Sequence, residues 1–379
     1  MRIAMFTDTY EPQVNGVVTS IKRFTNELRK RGHEIYIFSP ASPELKKSNL
    51  THSFRSISFR NYPEYRIALP LIKGCQKKFD VIHVHSPLSV GLAGVALAKY
   101  YKLPLIGTFH TQLPEYTHYL IKRDRIRKIK QIEKITKRFA WKYCSWFYNH
   151  CDCVIAPTED MKEILSKHKF RKRIIVLPTG TDIKKNKKSR SFLRKKYSFS
   201  PSDKIILHVG RITKEKNIEI ILDAMKTVIK NNDAKLIITS NGPMRSELKK
   251  YAEALGISDN VIFTGYVSDH ALNDYYQLSD VFVMASKTET QGIVLIEAAA
   301  NSLPSVVLDA DVTAAFVRQH KTGLVANKKD FAKKLQYMLN NNKIKNRLKK
   351  NCLSAAKKYD IKKCTDDLVQ AYSELIRGS

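Results

Sequence analysis

The chain has 379 residues, 43% of them hydrophobic, and carries a formal net charge of +32 from 67 Lys and Arg against 35 Asp and Glu. That length suits two domains rather than one ordinary core. The apolar share is enough to bury those cores, so the chain need not be disordered, and the lack of a run of eighteen apolar residues speaks against a membrane-spanning helix. Short unbroken apolar runs then alternate with longer helix-like segments. RIAMF (2–6) is followed by GVVTSIKRFTNELRKRG, with apolar residues at 17, 18, 21, 24 and 28, and then by EIYIF (34–38). VIHVH (81–85), PLIGTF (104–109), DCVIA (152–156) and RIIVL (173–177) continue the series. Runs of this kind read as parallel strands covered on both faces. The rhythm restarts with KIILHVG (204–210), KLIITS (235–240), NVIFTG (260–265), DVFVMAS (280–286) and PSVVL (304–308). Two successive strand–helix series predict two doubly wound, Rossmann-like α/β domains. Their expected bounds are 1–182 and 197–355, with the basic segment 183–196 as linker. Residues 356–379 read as a C-terminal helix packing back, on the N-terminal domain by expectation.

Ligands of open α/β sheets gather at the carboxyl ends of strands, so the residues just past each predicted strand are the candidates. After 2–6, Asn15-Gly16 precedes a helix; the glycine suits either close approach to a phosphate or a plain turn. After 104–109 stands His110, a position open to a structural as well as a catalytic role. After 204–210, Arg211 and Lys216 read either as a diphosphate clamp or as part of a solvated basic loop. After 235–240, Gly242-Pro243 suits a helix start. After 280–286, TETQGIVLIEA sets Glu289 and Glu297 eight residues apart, about 12 Å along a helix at 1.5 Å per residue. Gly292, Ile293 and Val294 lie between them, in the predicted first turn of a helix over 291–301, where unpaired amides favour anions. Asp309-Ala310-Asp311 matches a DxD metal pattern, but so short a pattern recurs by chance and no metal is expected. No Gly-x-x-x-x-Gly-Lys or Gly-x-Gly-x-x-Gly loop is present, which speaks against an ATPase or a dinucleotide enzyme.

Taken together, VNGVVTSI, FHT, PTGTD (178–182), GRITKEKN, NGP and the E-x7-E of TETQGIVLIEA resemble the retaining family-four glycosyltransferases of the GT-B fold. The resemblance spans essentially the whole chain. It implies two Rossmann-like domains facing a central cleft and a hexose transfer from a nucleotide sugar, UDP-hexose by expectation, without an essential metal. It further implies that Arg211 and Lys216 neutralise the donor diphosphate and that Glu297 holds the ribose. Glu289, with the Gly292–Val294 amides, would grip the donor sugar and its phosphates, and His110 would lie at the reacting face of the sugar. Gly16 would approach the donor phosphate or the acceptor side, and Gly242 would line the donor side. Ser240-Asn241-Gly242-Pro243 stands where many members have Gly-Asp-Gly-Pro, which removes a carboxylate.

Within that family, the wording of GVVTSI, HTQLPEYTHYL, SWFYNHCDCVIAPTEDMKEIL and TETQG is most similar to the diacylglycerol glycosyltransferases, monotopic enzymes of glycolipid biosynthesis. A physical signal agrees. Residues 121–150 hold Lys122, Arg123, Arg125, Arg127, Lys128, Lys130, Lys134, Lys137, Arg138 and Lys142 against Asp124 and Glu133, with Ile126, Ile129, Ile132, Ile135 and Phe139 at helical spacing and Trp141 and Trp146 following. A basic amphipathic helix edged with aromatics suits an anionic membrane surface, although the same stripe would also suit packing on the first domain. A soluble or polysaccharide acceptor, as for a mannosyltransferase, is the alternative enzyme reading. A basic nucleic-acid-binding protein is the alternative class, but no RRM, KH, zinc-finger or helix-turn-helix signature supports it. The six cysteines lack CxxC spacing and no N-terminal leader is legible, so a cytoplasmic enzyme attached peripherally to the membrane is expected.

Overall fold

The computed structural model describes residues 1–44, 48–59, 62–70, 78–115, 126–182 and 189–378. They form two compact units, Met1–Gly180 with Ile361–Ser379, and Thr181–Asp360.

The first unit runs β1 (Arg2–Phe6), α1 (Gly16–Lys30), β2 (Glu34–Pro40), β3 (Thr51–Phe54), β4 (Ser56–Phe59), β5 (Tyr62–Ala68), β6 (Val81–Val84), α2 (Ser89–Tyr101), β7 (Leu105–Thr108), α3 (Ile126–Tyr148), β8 (Cys153–Ala156), α4 (Glu159–Lys167) and β9 (Arg173–Val176). Seven strands make one parallel sheet in the order β3-β2-β1-β6-β7-β8-β9. β6, β7 and β8 are buried at every position, which is why their sequences read as unbroken apolar runs. Val17, Val18, Ile21, Phe24 and Leu28 form the buried face of α1.

The second unit runs α5 (Ser189–Lys196), β10 (Lys204–Val209), α6 (Ile218–Val228), β11 (Ala234–Thr239), α7 (Arg245–Ala254), β12 (Val261–Gly265), α8 (Asp269–Leu278), β13 (Val281–Met284), α9 (Ile293–Ala300), β14 (Ser305–Leu308), α10 (Asp311–His320), β15 (Gly323–Ala326), α11 (Phe331–Asn340) and α12 (Asn342–Lys357). Its six strands are parallel in the order β12-β11-β10-β13-β14-β15. Alternate strand residues serve opposite layers. Ile206, Leu236, Ile238 and Val283 pack with α6 and α11 on one side. Ile205, Leu207, Ile237 and Phe282 pack with α8, α9 and α10 on the other.

α13 (Ile361–Arg377) returns to the first unit, where Ile361, Cys364, Leu368 and Tyr372 join Ile21, Phe24 and Leu28 in one core. Three features differ from expectation. The segment 189–196, read as linker, is helix α5, and its Leu193 is buried in the second unit's core. β3, β15 and the antiparallel β4–β5 pair had no strand-like signature, being short and mostly half-buried or exposed. The helix after Gly242-Pro243 begins only at Arg245.

Candidate active site

In the second sheet, successive crossovers run outward in opposite directions from the β10/β13 boundary, the place where open α/β sheets hold ligands. The loop after β10 carries Arg211 and Lys216, and the loop after β13 carries Glu289 and Gly292. Lys216 Nζ lies 2.5 Å from Glu289 Oε1, with both side chains mostly covered, 17% and 16% exposed. The join is braced by Asn217, a left-handed residue at the start of α6, whose amide donates to the Ala285 carbonyl at 3.1 Å and to the Glu215 carbonyl at 3.0 Å. The two candidate residues are thus held across the boundary by an ion pair and a side-chain bridge.

Gly242 has a packing reason. A Cβ there would fall 2.2 Å from the Ile212 carbonyl oxygen, so only glycine lets the loop after β11 lie against the residue next to Arg211. The two loops exchange backbone hydrogen bonds, Ile212 N–H to Asn241 O at 2.9 Å and Met244 N–H to Ile212 O at 3.2 Å.

Helix α9 starts at Ile293, two residues later than the sequence indicates, so Gly292 lies before its first turn and not within it. Gly292 is its N-cap in the left-handed region, φ +74°, a conformation that excludes most other residues. Ile293 and Val294 open the helix, and no side chain caps that end, which leaves first-turn amides for an anion. Further along α9, Glu297 Oε2 accepts from Tyr276 Oη at 2.7 Å. Asp309 of the DxD pattern pairs with Arg318 at 2.8 Å on the surface. Among the described residues, no three His, Cys, Asp or Glu side chains are grouped to hold a metal ion.

The other two candidates belong to the first unit. Asn15 caps α1 by accepting from Val18 N–H at 3.0 Å, and Gly16 is the first helical residue. His110, just past β7, lies with its Nε2 2.9 Å from His85 Nδ1. His85 in turn stacks on His83 at 3.9 Å between ring centroids. His83 Nδ1 meets Tyr372 Oη of α13 at 2.6 Å and its Nε2 meets Thr108 Oγ1 at 2.7 Å. Burial pushes the pKa of His83 and of His110 down to about 3, and that of His85 well below the usual value, so all three are neutral near pH 7. Sequence reasoning named His110 and missed its partners, although VIHVH places two histidines on the same side of one strand. It also missed Tyr276 and Asn217, which no local pattern marks.

Of the residues expected at a membrane surface, Lys122, Arg123 and Arg125 lie outside the described residues, as do the side chains of Arg127, Lys128 and Lys130. On the rest of α3, Ile135, Phe139 and Trp146 are 54%, 64% and 52% exposed and fall on one stripe at helical spacing. Exposed Arg138 and Lys142 flank that stripe, with Lys142 Nζ 5.8 Å from the Phe139 ring centre; Lys134 is also exposed. Two expected members are set otherwise. Trp141 stacks flat on His168 at 3.8 Å, and Lys137 is paired with Glu115 at 2.9 Å and Glu133 at 3.5 Å.

Two family models match. "Glycosyltransferase Family 4" covers residues 14–185, and "Glycosyl transferases group 1" covers 189–354. The chain is 34% identical over 322 residues to the alpha-monoglucosyldiacylglycerol synthase of Streptococcus pneumoniae, covering 81% of this chain and 70% of that one. It is 31% identical over 375 residues to the synthase of the same name from Acholeplasma laidlawii, covering 95% and 93%. The chain belongs to the family-four glycosyltransferases. A GDP-mannose-dependent alpha-mannosyltransferase of Mycolicibacterium smegmatis is a more distant relative, 25% identical over 86% of this chain and 84% of its own. The glycosyltransferase has the GT-B fold expected from its sequence: it superposes on Anabaena HepE, solved in complex with UDP-glucose, with a TM-score of 0.77 at 17% identity, covering 99% of this chain and 100% of HepE.

Proposed function

We propose that this glycosyltransferase moves a hexose, glucose or galactose, from a UDP-sugar to a membrane lipid such as diacylglycerol or a glycolipid, with retention at the anomeric carbon. The observation that carries the donor half is the Lys216–Glu289 pair beside the open first turn of α9. A departing nucleoside diphosphate gains negative charge, and pre-placed cations and helix N-terminal amides stabilise that charge most where they need not reorganise. On this reading Arg211, Lys216 and the Gly292–Val294 amides receive the phosphates. Glu289 accepts from sugar hydroxyls, Glu297 from the ribose, and neutral His110 hydrogen-bonds at the reacting face without donating a formal charge. Gly16 gives backbone approach on the phosphate or acceptor side, and no residue is required as a covalent nucleophile.

The exposed apolar edge of α3 with Arg138 and Lys142 beside it supports the lipid half, because apolar burial and attraction to an anionic leaflet then act on the same face. On this reading the enzyme attaches peripherally at the cytoplasmic face; no helix among the described residues is long and apolar enough to cross a bilayer. The test pairs UDP-glucose, UDP-galactose and GDP-mannose with anionic vesicles containing diacylglycerol and identifies the product. A lipid-linked glucose or galactose is expected, unchanged by EDTA. Mannose transfer alone would favour the mannosyltransferase reading, and loss of turnover in EDTA would return attention to Asp309 and Asp311. If the protein stays with the soluble fraction when floated with anionic vesicles at low salt, the lipid-surface reading fails.

A further inference from the structure

His208 belongs to no motif singled out in the sequence, yet it lies on β10 two residues before Gly210 and three before Arg211. Its ring is 1% exposed. Nδ1 lies 3.1 Å from the Val283 carbonyl of the neighbouring strand β13. A carbonyl oxygen only accepts, so the neutral ring carries its proton on Nδ1 and presents a bare lone pair at Nε2. That Nε2 is buried and has no hydrogen-bond partner among the described residues. It is turned toward the carboxyl end of the strand, because a Cβ built on Gly210 would stand 3.8 Å from it. The charges of Lys216 and Glu289 act on the ring, and burial lowers its pKa to about 4, so the lone pair persists at neutral pH. A buried acceptor without a donor costs free energy unless something supplies one. In the loop after the neighbouring strand β13, Ser286 Oγ and Thr288 Oγ1 are likewise buried without partners among the described residues.

We propose that His208 is a donor-recognition residue whose Nε2 accepts a hydrogen bond from a hydroxyl of the nucleotide sugar. The assignment rests on the second unit's β10/β13 boundary being the donor site. A nucleotide sugar offers two kinds of hydroxyl, on the ribose and on the hexose, and both share the chemistry required. Because the ring is a fixed acceptor, it favours a hydroxyl over a phosphate oxygen or any other pure acceptor at that point.

Two substitutions separate ligand recognition from a structural role. His208→Asn keeps an amide near Nδ1 to donate to Val283 O and deletes the acceptor at the Nε2 position. His208→Gln places an amide oxygen near Nε2 and gives up the Val283 bond. Calorimetric titration of the full chain with UDP and with UDP-glucose, UDP-galactose and GDP-mannose reads both variants, and thermal melting checks folding. Loss of one neutral hydrogen bond predicts about a five- to tenfold weaker Kd for His208→Asn, with His208→Gln closer to the parent protein. Weakening toward the nucleotide sugar but not UDP assigns the hexose hydroxyl, and equal weakening toward both assigns the ribose. Parent-like binding by His208→Asn, with the damage confined to His208→Gln, overturns the proposal and leaves His208 as a strand-to-strand brace. Should the parent protein itself bind no nucleotide or nucleotide sugar, the donor-site reading falls first and this assignment with it.

Discussion

The ammonium of Lys216 and the carboxylate of Glu289, 73 residues apart in sequence, meet at 2.5 Å across the β10/β13 boundary. Each group orients the other, so on the proposed reading the pair has a structural and a functional share that substitutions can separate. Lys216→Met removes the ammonium paired with a mostly covered carboxylate and is expected to cost about 2 kcal/mol of stability, read as a lower urea midpoint. Lys216→Met with Glu289→Met removes both charges and should recover much of that loss while remaining inactive. In assays of donor hydrolysis or transfer, Glu289→Gln combined with Arg211→Ala is expected to lower kcat/KM by well over tenfold. A smaller loss would remove both residues from the donor site.

Tyr276 donates to Glu297 from the neighbouring helix α8. Tyr276→Phe removes that hydrogen bond without altering the charge of the carboxylate. A donor KM raised about three- to tenfold with kcat nearly unchanged is the expected split, measured with saturating acceptor. A loss confined to kcat would detach Glu297 from ground-state donor binding.

On α3, Phe139→Ser and Trp146→Ser each delete an exposed ring that a lipid surface would bury. Each is expected to weaken binding to anionic vesicles by roughly tenfold or more, measured by flotation. Trp141→Phe, at the ring stacked on His168, should change vesicle binding little and stability more. Raising the salt should weaken the parent protein's binding, since exposed cations are screened. The reverse ranking of the tryptophans would place the surface elsewhere.

The pKa values of His83 and His110, down to about 3, and of His208, down to about 4, give a definite sign. All fall below the unfolded value near 6.5, so between those values the unfolded chain binds more protons and stability falls as pH falls. Each histidine contributes up to about 1.4 kcal/mol per pH unit within that window and nothing further above it. Urea midpoints should therefore be flat from pH 8 to 7 and decline from pH 6.5 toward 5. For the same reason, the kcat/KM profile should show no limb near pH 6 to 7 from these rings. A limb that disappears in His110→Gln would show that this histidine exchanges a proton in the reaction.

Strands buried on both faces are legible because the environment demands apolar side chains at every position, as in VIHV and CVIA, and few surroundings but a covered sheet select such short runs. The carboxyl-end loops follow from the strands, which is why Arg211, Lys216 and Glu289 stand out in the sequence alone. β15 escaped because Gly-Leu-Val-Ala is too short and too half-buried to stand out, and α5 was hidden by the cations and serines around its single buried leucine. The partners of the site residues were illegible for a different reason. Tyr276, Asn217, His85 and His83 act through contacts between loops or elements distant in sequence, and no local spacing encodes which tyrosine will find which glutamate. Trp141 and Trp146 have the same interfacial signature in sequence, and the structure separates them by the stacking of Trp141 on His168 and the exposure of Trp146.

The return of α13 has a consequence for how the chain comes into being. The second unit is one uninterrupted stretch, so during synthesis its core can close as soon as Asp360 has emerged. The first unit, though made earlier, must wait for 361–377 to cover the apolar faces of α1 and its sheet and to bring Tyr372 to His83. Nascent chains halted between the two would lack Ile361, Cys364, Leu368 and Tyr372, the α13 share of that core. The order of translation thus inverts the order of completion.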